Sequence, residues 1–244
     1  MKIISLLTVL LFCNAMVMSQ ENFQKDTIRT DKGDLEITFL GHGTLYFTFD
    51  SKVIHIDPVD MYADYSLLPK ADLIFVTHQH HDHFQAGTID LLMKEGTELV
   101  FTKICADSYQ GEGISAANGD MLNLKDIRVE VVPAYNLVHE RSNGVPFHPK
   151  GEGNGYVFNF GDKQVYIGGD TENIPEMKKL KDIDIAFLPM NLPYTMTPEM
   201  VVEAVIMFKP KILYPYHYGN TNIDDLLTLM KDIDYCEVRV REMR

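Results

Sequence analysis

Leu73-Ile74-Phe75-Val76-Thr77-His78-Gln79-His80-His81-Asp82-His83-Phe84 decides how this chain is read. The first five residues form a continuous apolar run of β-branched and aromatic side chains, as expected of a strand covered on both faces. The next six hold four of the chain's nine histidines, with an aspartate among them. A sharp turn at a strand end can aim His78 and His80 to one side and fold Asp82 and His83 back around a neighbouring point. Imidazole and carboxylate suit zinc and similar divalent ions. Four such groups packed this closely cannot all reach one tetrahedral centre, so the segment points to two ions. A merely solvated His-rich loop would have no reason to follow a core strand and enclose an ordered acid.

A two-ion site needs ligands from elsewhere. Gly168-Gly169-Asp170-Thr171 places a carboxylate at the end of a strand read over 164–168, where small residues let the backbone approach closely. Asp170 can therefore bridge both ions. Pro215-Tyr216-His217-Tyr218-Gly219 follows an apolar strand read over 211–215 and offers His217 to the second ion.

Around these segments, short β-rich runs alternate with amphipathic ones. Strands are expected at 35–40, 44–49, 53–56, 98–102, 127–132, 155–160 and 184–188, and helices at 85–94, 198–208 and 222–231. Thr197 caps the second helix, with Pro198 at its first position and Glu199 in its first turn. The text also echoes itself. YFTFDSKVIHIDP at 46–58 and YVFNFGDKQVYIGGDT at 156–171 share a strand-turn-strand plan ending in Asp57 and Asp170, and an Asp opens the next strand each time (Asp72, Asp184). Two such halves suggest an α+β fold of two mixed sheets packed face to face with helices outside. No Ser/Pro-rich linker divides residues 20–244, so they are expected to form a single domain.

In its motifs the chain resembles the metallo-β-lactamase-fold hydrolases. Their signature T-H-x-H-x-D-H stands at Thr77 to His83, their G-D-T at Gly169-Asp170-Thr171, and their last strand-end histidine at His217. Gly41-His42-Gly43, Ile56-Asp57-Pro58, Pro133-Ala134-Tyr135-Asn136 and Phe147-His148-Pro149-Lys150-Gly151 resemble the branch that includes ascorbate-6-phosphate lactonase. The resemblance implies an αββα sandwich with two divalent metal ions at one edge, both expected to be Zn2+ with Mn2+ as the alternative. It implies His78 and His80 as ligands of the first ion, Asp82, His83 and His217 of the second, and Asp170 shared. One position departs from the pattern. Many members place the first ion's third histidine in mid-chain, where this chain has Asn136, a poor zinc ligand. His139 and His148 are the substitutes, and His148 is preferred because its surroundings resemble a motif of the branch. With neither bound, the first site would be open and a one-ion enzyme would result.

Water shared by two divalent ions is deprotonated near neutral pH, and the same ions polarise the oxygen that gains charge on attack. Hydrolysis of a small ester, lactone or phosphodiester by such a hydroxide is the expected activity. The alternatives are a β-lactamase-type amide hydrolase and a non-hydrolytic metal-binding or redox protein of the same fold. Asp82 is expected to hold the hydroxide and pass on a proton. His42, in its Gly-His-Gly turn, is placed to face the metals or the substrate. Tyr194 either donates to substrate or packs as a loop aromatic, the second reading being favoured. Asp57 is placed to orient a ligand imidazole. His55, between Ile54 and Ile56, reads as a satisfied sheet residue, and His81 as pointing away. Neither G-x-S-x-G nor G-x-x-x-x-G-K-[ST] occurs, so rival hydrolase mechanisms lack their residues.

The 244 residues are 45% hydrophobic, which is ample for a core and too apolar for disorder. A formal charge of −13 disfavours nucleic acid and anionic membrane surfaces as partners and leaves a small-molecule substrate. Residues 1–19 read as a signal peptide, with Lys2, an apolar run from Ile3 to Phe12, and Val17-Met18-Ser19 before the cleavage point. That run falls short of the ~20 residues of a spanning helix. A periplasmic or secreted protein, free of the membrane after cleavage, is expected. Cys105 and Cys236 would remain, read as packing residues with a single long-range disulfide as the alternative.

Overall fold

The computed structural model describes residues 23–243, and the signal peptide read at 1–19 lies outside the described residues. The first half of the chain lays down β1 (Lys25–Thr30), β2 (Gly33–Gly41), β3 (Thr44–Phe49), β4 (Lys52–Ile56), β5 (Leu73–Phe75), α1 (Ala86–Leu92), β6 (Glu98–Phe101), α2 (Lys103–Ser108) and β7 (Ile114–Ser115). The second half follows with β8 (Met121–Leu124), β9 (Ile127–Ala134), β10 (Gly153–Phe160), β11 (Lys163–Ile167), β12 (Ile185–Pro189), α3 (Pro198–Phe208), β13 (Ile212–Tyr216), α4 (Ile223–Met230) and β14 (Glu237–Val238). A 3-10 turn covers Pro175–Lys179.

Strands β1 to β7 form one seven-stranded sheet in chain order, and β8 to β14 form a second. Each is antiparallel through its first four strands and parallel thereafter. The sheets face each other across one hydrophobic core. Phe75 and Phe47 of the first sheet meet Phe158 of the second at ring-centroid distances of 4.8 and 5.9 Å, and Phe39 meets Phe187 at 6.3 Å. Strand β5 shows why its run had to be apolar throughout. Phe75 faces the second sheet, while Ile74 and Val76 join a separate cluster with Ile89 and Leu92 of α1 and Cys105 of α2. On the far side, α3 buries Val201, Ala204, Val205 and Phe208, and Thr197 Oγ1 accepts from Met200 N at its N-terminus. This is the α+β sandwich with helices outside.

The two halves share backbone detail. Val53 N donates to the Asp72 carboxylate (2.9 Å) while Asp72 N donates back to Val53 O (2.8 Å). Gln164 and Asp184 repeat that exchange at 2.9 and 3.0 Å. Cys105 and Cys236 are buried and unpaired. Among the described residues no helix is long and apolar enough to cross a membrane.

Candidate metal centre

The residues of this centre lie in the segments that follow β2, β5, β9, β11 and β13, with His42, Asp170 and His217 within three residues of a strand end and His148 deep in the loop between β9 and β10. The turn after β5 closes through His83 N and Phe84 N, both donating to His80 O (3.0 and 2.8 Å). Its histidines divide between two clusters. In the first, His78 Nε2 and His148 Nε2 converge on His80 Nδ1 at 3.0 and 3.2 Å, and Asp170 Oδ2 lies 3.0 Å from His148 Nε2. In the second, Asp82 Oδ2 lies 3.1 Å from His42 Nε2 and 3.8 Å from His217 Nε2, with His83 completing the group. Within each cluster the four candidate ligand atoms all lie within 4.8 Å of one another. Asp170 stands between the two. Its Oδ1 is 3.4 Å from His83 Nε2, and its Oδ2 is 3.5 Å from His217 Nε2 and 3.8 Å from His78 Nε2.

Neighbouring side chains set which nitrogen His78, His83 and His148 turn inward. Asp57, fully buried, accepts from Thr77 N (2.7 Å), Thr77 Oγ1 (2.7 Å) and His83 Nδ1 (2.8 Å), leaving His83 Nε2 for the centre. Thr77 Oγ1, its own proton given to Asp57, faces His78 Nδ1 at 3.0 Å. His148 Nδ1 donates to Asn136 Oδ1 at 2.7 Å. Asn136 thus touches the first cluster through His148, which groups there with His78, His80 and Asp170. Its amide nitrogen is held in turn by Glu172 Oε1 (3.1 Å) and Tyr194 O (2.8 Å). Gly43 is required beside His83, because a Cβ there would stand 2.7 Å from the His83 ring.

The electrostatics describe a cation site. Burial, with His83 beside it, pushes His78 well below its ordinary pKa, and burial with His148 beside it takes His80 down to about 4. Burial acts against a charged His83 too, yet Asp170 and Asp57 on its two sides raise it to about 9. Burial disfavours charge on Asp82 and Asp170 as well. The imidazoles of His217 and His42 beside Asp82, and of His217, His83 and His148 around Asp170, nevertheless hold both well below the usual carboxylate range. A protonated His83 supplies the positive charge these acids need, in the place a metal ion would supply it. His83 Nε2, Asp170 Oδ1 and both nitrogens of His217 are buried without a hydrogen-bond partner among the described residues. These unsatisfied atoms, set within clusters of six imidazoles and two carboxylates, fit divalent ions of the zinc type.

A cavity of about 330 Å³ opens over the clusters, walled by Arg141, Phe147, Asn191 and Tyr194. Tyr194 is 45% exposed and lines this space, while its ring packs edge to face on Phe147 at 5.0 Å. His42 goes further than the facing role read for it, since it offers a ligand atom to the second cluster. His139 lies outside both clusters, its Nδ1 on Glu172 Oε1 at 2.7 Å. His81 is 88% exposed, and His55 is buried with Nε2 on Pro69 O at 3.1 Å. Two residues escaped the sequence reading. Glu172 adjoins the G-D-T motif but looks like any surface acid, and Arg141 sits in a polar loop with no motif around it. A second cavity, about 240 Å³ between Val132, Tyr166 and Met177, touches none of these groups.

Comparison with known proteins identifies the family of this fold. The family model described as "Beta-lactamase superfamily domain" matches residues 36–217. A UPF0173 metal-dependent hydrolase of Staphylothermus marinus is 30% identical over 203 residues, covering 75% of this chain and 83% of the relative. One from Nanoarchaeum equitans is 29% identical over 191 residues, covering 76% and 84%. The crystal structure of a candidate metal-dependent hydrolase from Parabacteroides distasonis superposes with a TM-score of 0.86 at 46% identity, covering 91% of this chain and all of that one. Igni18, a metallo hydrolase of Ignicoccus hospitalis, shares the fold with a TM-score of 0.70 at 23% identity, covering 86% and 95%. The chain belongs to the β-lactamase superfamily. Within it, the protein is a metal-dependent hydrolase with two His/Asp metal-binding clusters.

Proposed function

We propose that this protein hydrolyses a small ester, lactone or phosphodiester with the help of two divalent ions, zinc by preference. His78, His80, His148 and Asp170 hold the first; Asp82, His83, His217 and the shared Asp170 hold the second, with His42 as a further donor. The observation that carries this reading is Asp170, a buried carboxylate within 4 Å of imidazoles from both clusters and with one oxygen unsatisfied. Bound cations supply Lewis acidity, making water a nucleophile near neutral pH and polarising the substrate oxygen.

The chain's own groups do the rest. Asp82 is the ligand carboxylate most open to the cavity, its side chain 25% exposed against 4% for Asp170. It is placed to hold a water proton and deliver it to a leaving group. Tyr194 lines the same cavity and is the hydroxyl group available to donate to the substrate. At about 330 Å³ the cavity suits a small molecule. The apolar run behind Lys2 supports action in the periplasm or outside the cell.

The test is metal analysis joined to a substrate panel of 4-nitrophenyl esters, lactones, bis(4-nitrophenyl) phosphate and a β-lactam. Two equivalents of zinc or manganese are expected, with turnover that chelation removes and readdition restores. Bound iron with no hydrolysis anywhere in the panel overturns the proposal.

A further inference from the structure

We propose that Arg141 is a specificity-determining residue that anchors a carboxylate or phosphate group of the substrate beside His80, so that the molecule hydrolysed carries an anion apart from its scissile bond. The inference rests on the hydrolase reading above for the word substrate, but the anchor itself stands on three local observations.

The first is a meeting of two donors. His80 turns Nδ1 toward His78 and His148, so its Nε2 faces outward, 3.5 Å from Arg141 Nη2. An imidazole that gives Nδ1 to a cation carries its proton on Nε2. Arginine has no acceptor to offer in return. The two N–H groups then point into the same space, and an anionic oxygen would satisfy both. Among the described residues no carboxylate lies within ion-pair distance of Arg141; its remaining contacts are the Phe147 carbonyl (3.4 Å) and the Phe147 ring (5.4 Å). A planar guanidinium laid over an aromatic face and left without an acid matches carboxylate or phosphate by its fork of donors.

The second observation is that the backbone carrying Arg141 is held in place. It begins a tight turn, with Gly144 N donating to Arg141 O (2.9 Å) and Arg141 N to Val145 O (2.7 Å). The base of this hairpin is fastened by Glu172. That fully buried carboxylate accepts from Leu137 N, Val138 N and His139 N, each at 2.7 Å. Five donors on one buried acid, counting Asn136 Nδ2 and His139 Nδ1, make an expensive arrangement unless the loop's position matters.

The third is charge. Two divalent ions outweigh Asp82 and Asp170, and Arg141 adds to the excess, so the loaded cavity is positive within a chain of net charge −13. Phe147 and Tyr194, edge to face at 5.0 Å, line the same cavity and offer apolar surface to the body of the ligand.

The experiment is calorimetric titration of zinc-loaded wild type, R141A and R141K with methylphosphonate and with succinate, zinc content being measured in each. At least one anion is expected to bind the wild type and to lose tenfold or more in R141A, with partial recovery in R141K; which anion responds separates phosphate from carboxylate recognition. A turnover arm compares mono(4-nitrophenyl) succinate with 4-nitrophenyl acetate, whose kcat/KM ratio should fall tenfold or more in R141A. Equal affinity of wild type and R141A for both anions, or no binding of either to the wild type, overturns the anchor. Because the titration needs no turnover, a protein that hydrolyses nothing yet binds an anion through Arg141 would refute the hydrolase reading alone.

Discussion

The two halves of the molecule bring a carboxylate to the same place and use it differently. Strands β3 and β4 lead straight into Asp57, which follows Ile56 directly. Strands β10 and β11 lead through Gly168 and Gly169 before reaching Asp170. Asp57 therefore stays inside the sheet edge, with all its reach taken by Thr77 and His83 Nδ1. Asp170 is carried two residues further, onto the other face of the same imidazole, with an oxygen left over. The glycines make that step possible. Gly169 has φ +63°, and a Cβ on it would stand 2.9 Å from Asn154 O and 3.0 Å from Thr77 Cβ. One repeat thus ends in an acid that supports a ligand, and the other in an acid able to be one.

The comparison breaks first at Asp170. Asp170→Ala should remove both ions and cut turnover by a thousandfold or more, since Asp170 lies within 4 Å of imidazoles of both clusters; plasma emission spectroscopy of the purified variant reads this directly. Asp57→Asn should act on one ion only. It weakens the hold on His83, and loss of such a supporting partner typically costs 10- to 100-fold in metal affinity. If Asp57→Asn empties both clusters equally, supporter and ligand are not distinct roles. Asn136→Ala is the matching test on the first cluster through His148, with about a tenfold loss there, and His139→Ala should lose less metal than His148→Ala.

The ion-free protein offers a pH test of the same pair. His83 lies between Asp57 and Asp170 with its pKa raised from 6.5 to about 9. A raised folded pKa means that the native state holds its proton more tightly than the unfolded chain. The resulting stability, on the order of 3 kcal/mol, is fully present below pH 6.5 and is lost as pH rises through 9. Urea unfolding of chelated protein at pH 7.5 and pH 9.5, above the range where His78 and His80 take up protons, should show most of that loss, and Asp57→Asn should shrink it. An unchanged pH difference in Asp57→Asn would mean that Asp57 has no share in it.

How legible this was depended on sequence distance. The 77–83 segment could be read because its ligands are contiguous and follow a strand of uniform hydrophobicity. Helix α3 could be read to the residue because Thr197 and Pro198 mark its start. By contrast, β1 has only Ile28 as an apolar signal on a sheet edge, and α2 spans six residues, too few for a periodicity. His42 lies forty positions from its partner Asp82, and the Glu172 contacts with the 136–139 loop cross more than thirty. Pairings of that kind leave no local pattern, since either residue alone is compatible with an ordinary surface.

The smallest effect concerns the frame that both halves share. Asp72 and Asp184 each accept from the strand before them, and each also pairs with a lysine at 2.7 Å, Lys94 and Lys211 respectively. Neither touches the metal centre. Removing either carboxylate leaves one backbone N–H without its acceptor, a loss of roughly 1–3 kcal/mol when the group is buried. Asp184→Ala should cost more than Asp72→Ala, because the Asp184 side chain is 9% exposed and that of Asp72 is 19%. Denaturant midpoints give the ranking, and metal analysis of the same samples should show full occupancy in both variants. If either variant loses an ion while still folded, the frame and the centre are one cooperative unit, and the two carboxylates past β4 and β11 could not have diverged in role independently of the sheets that carry them.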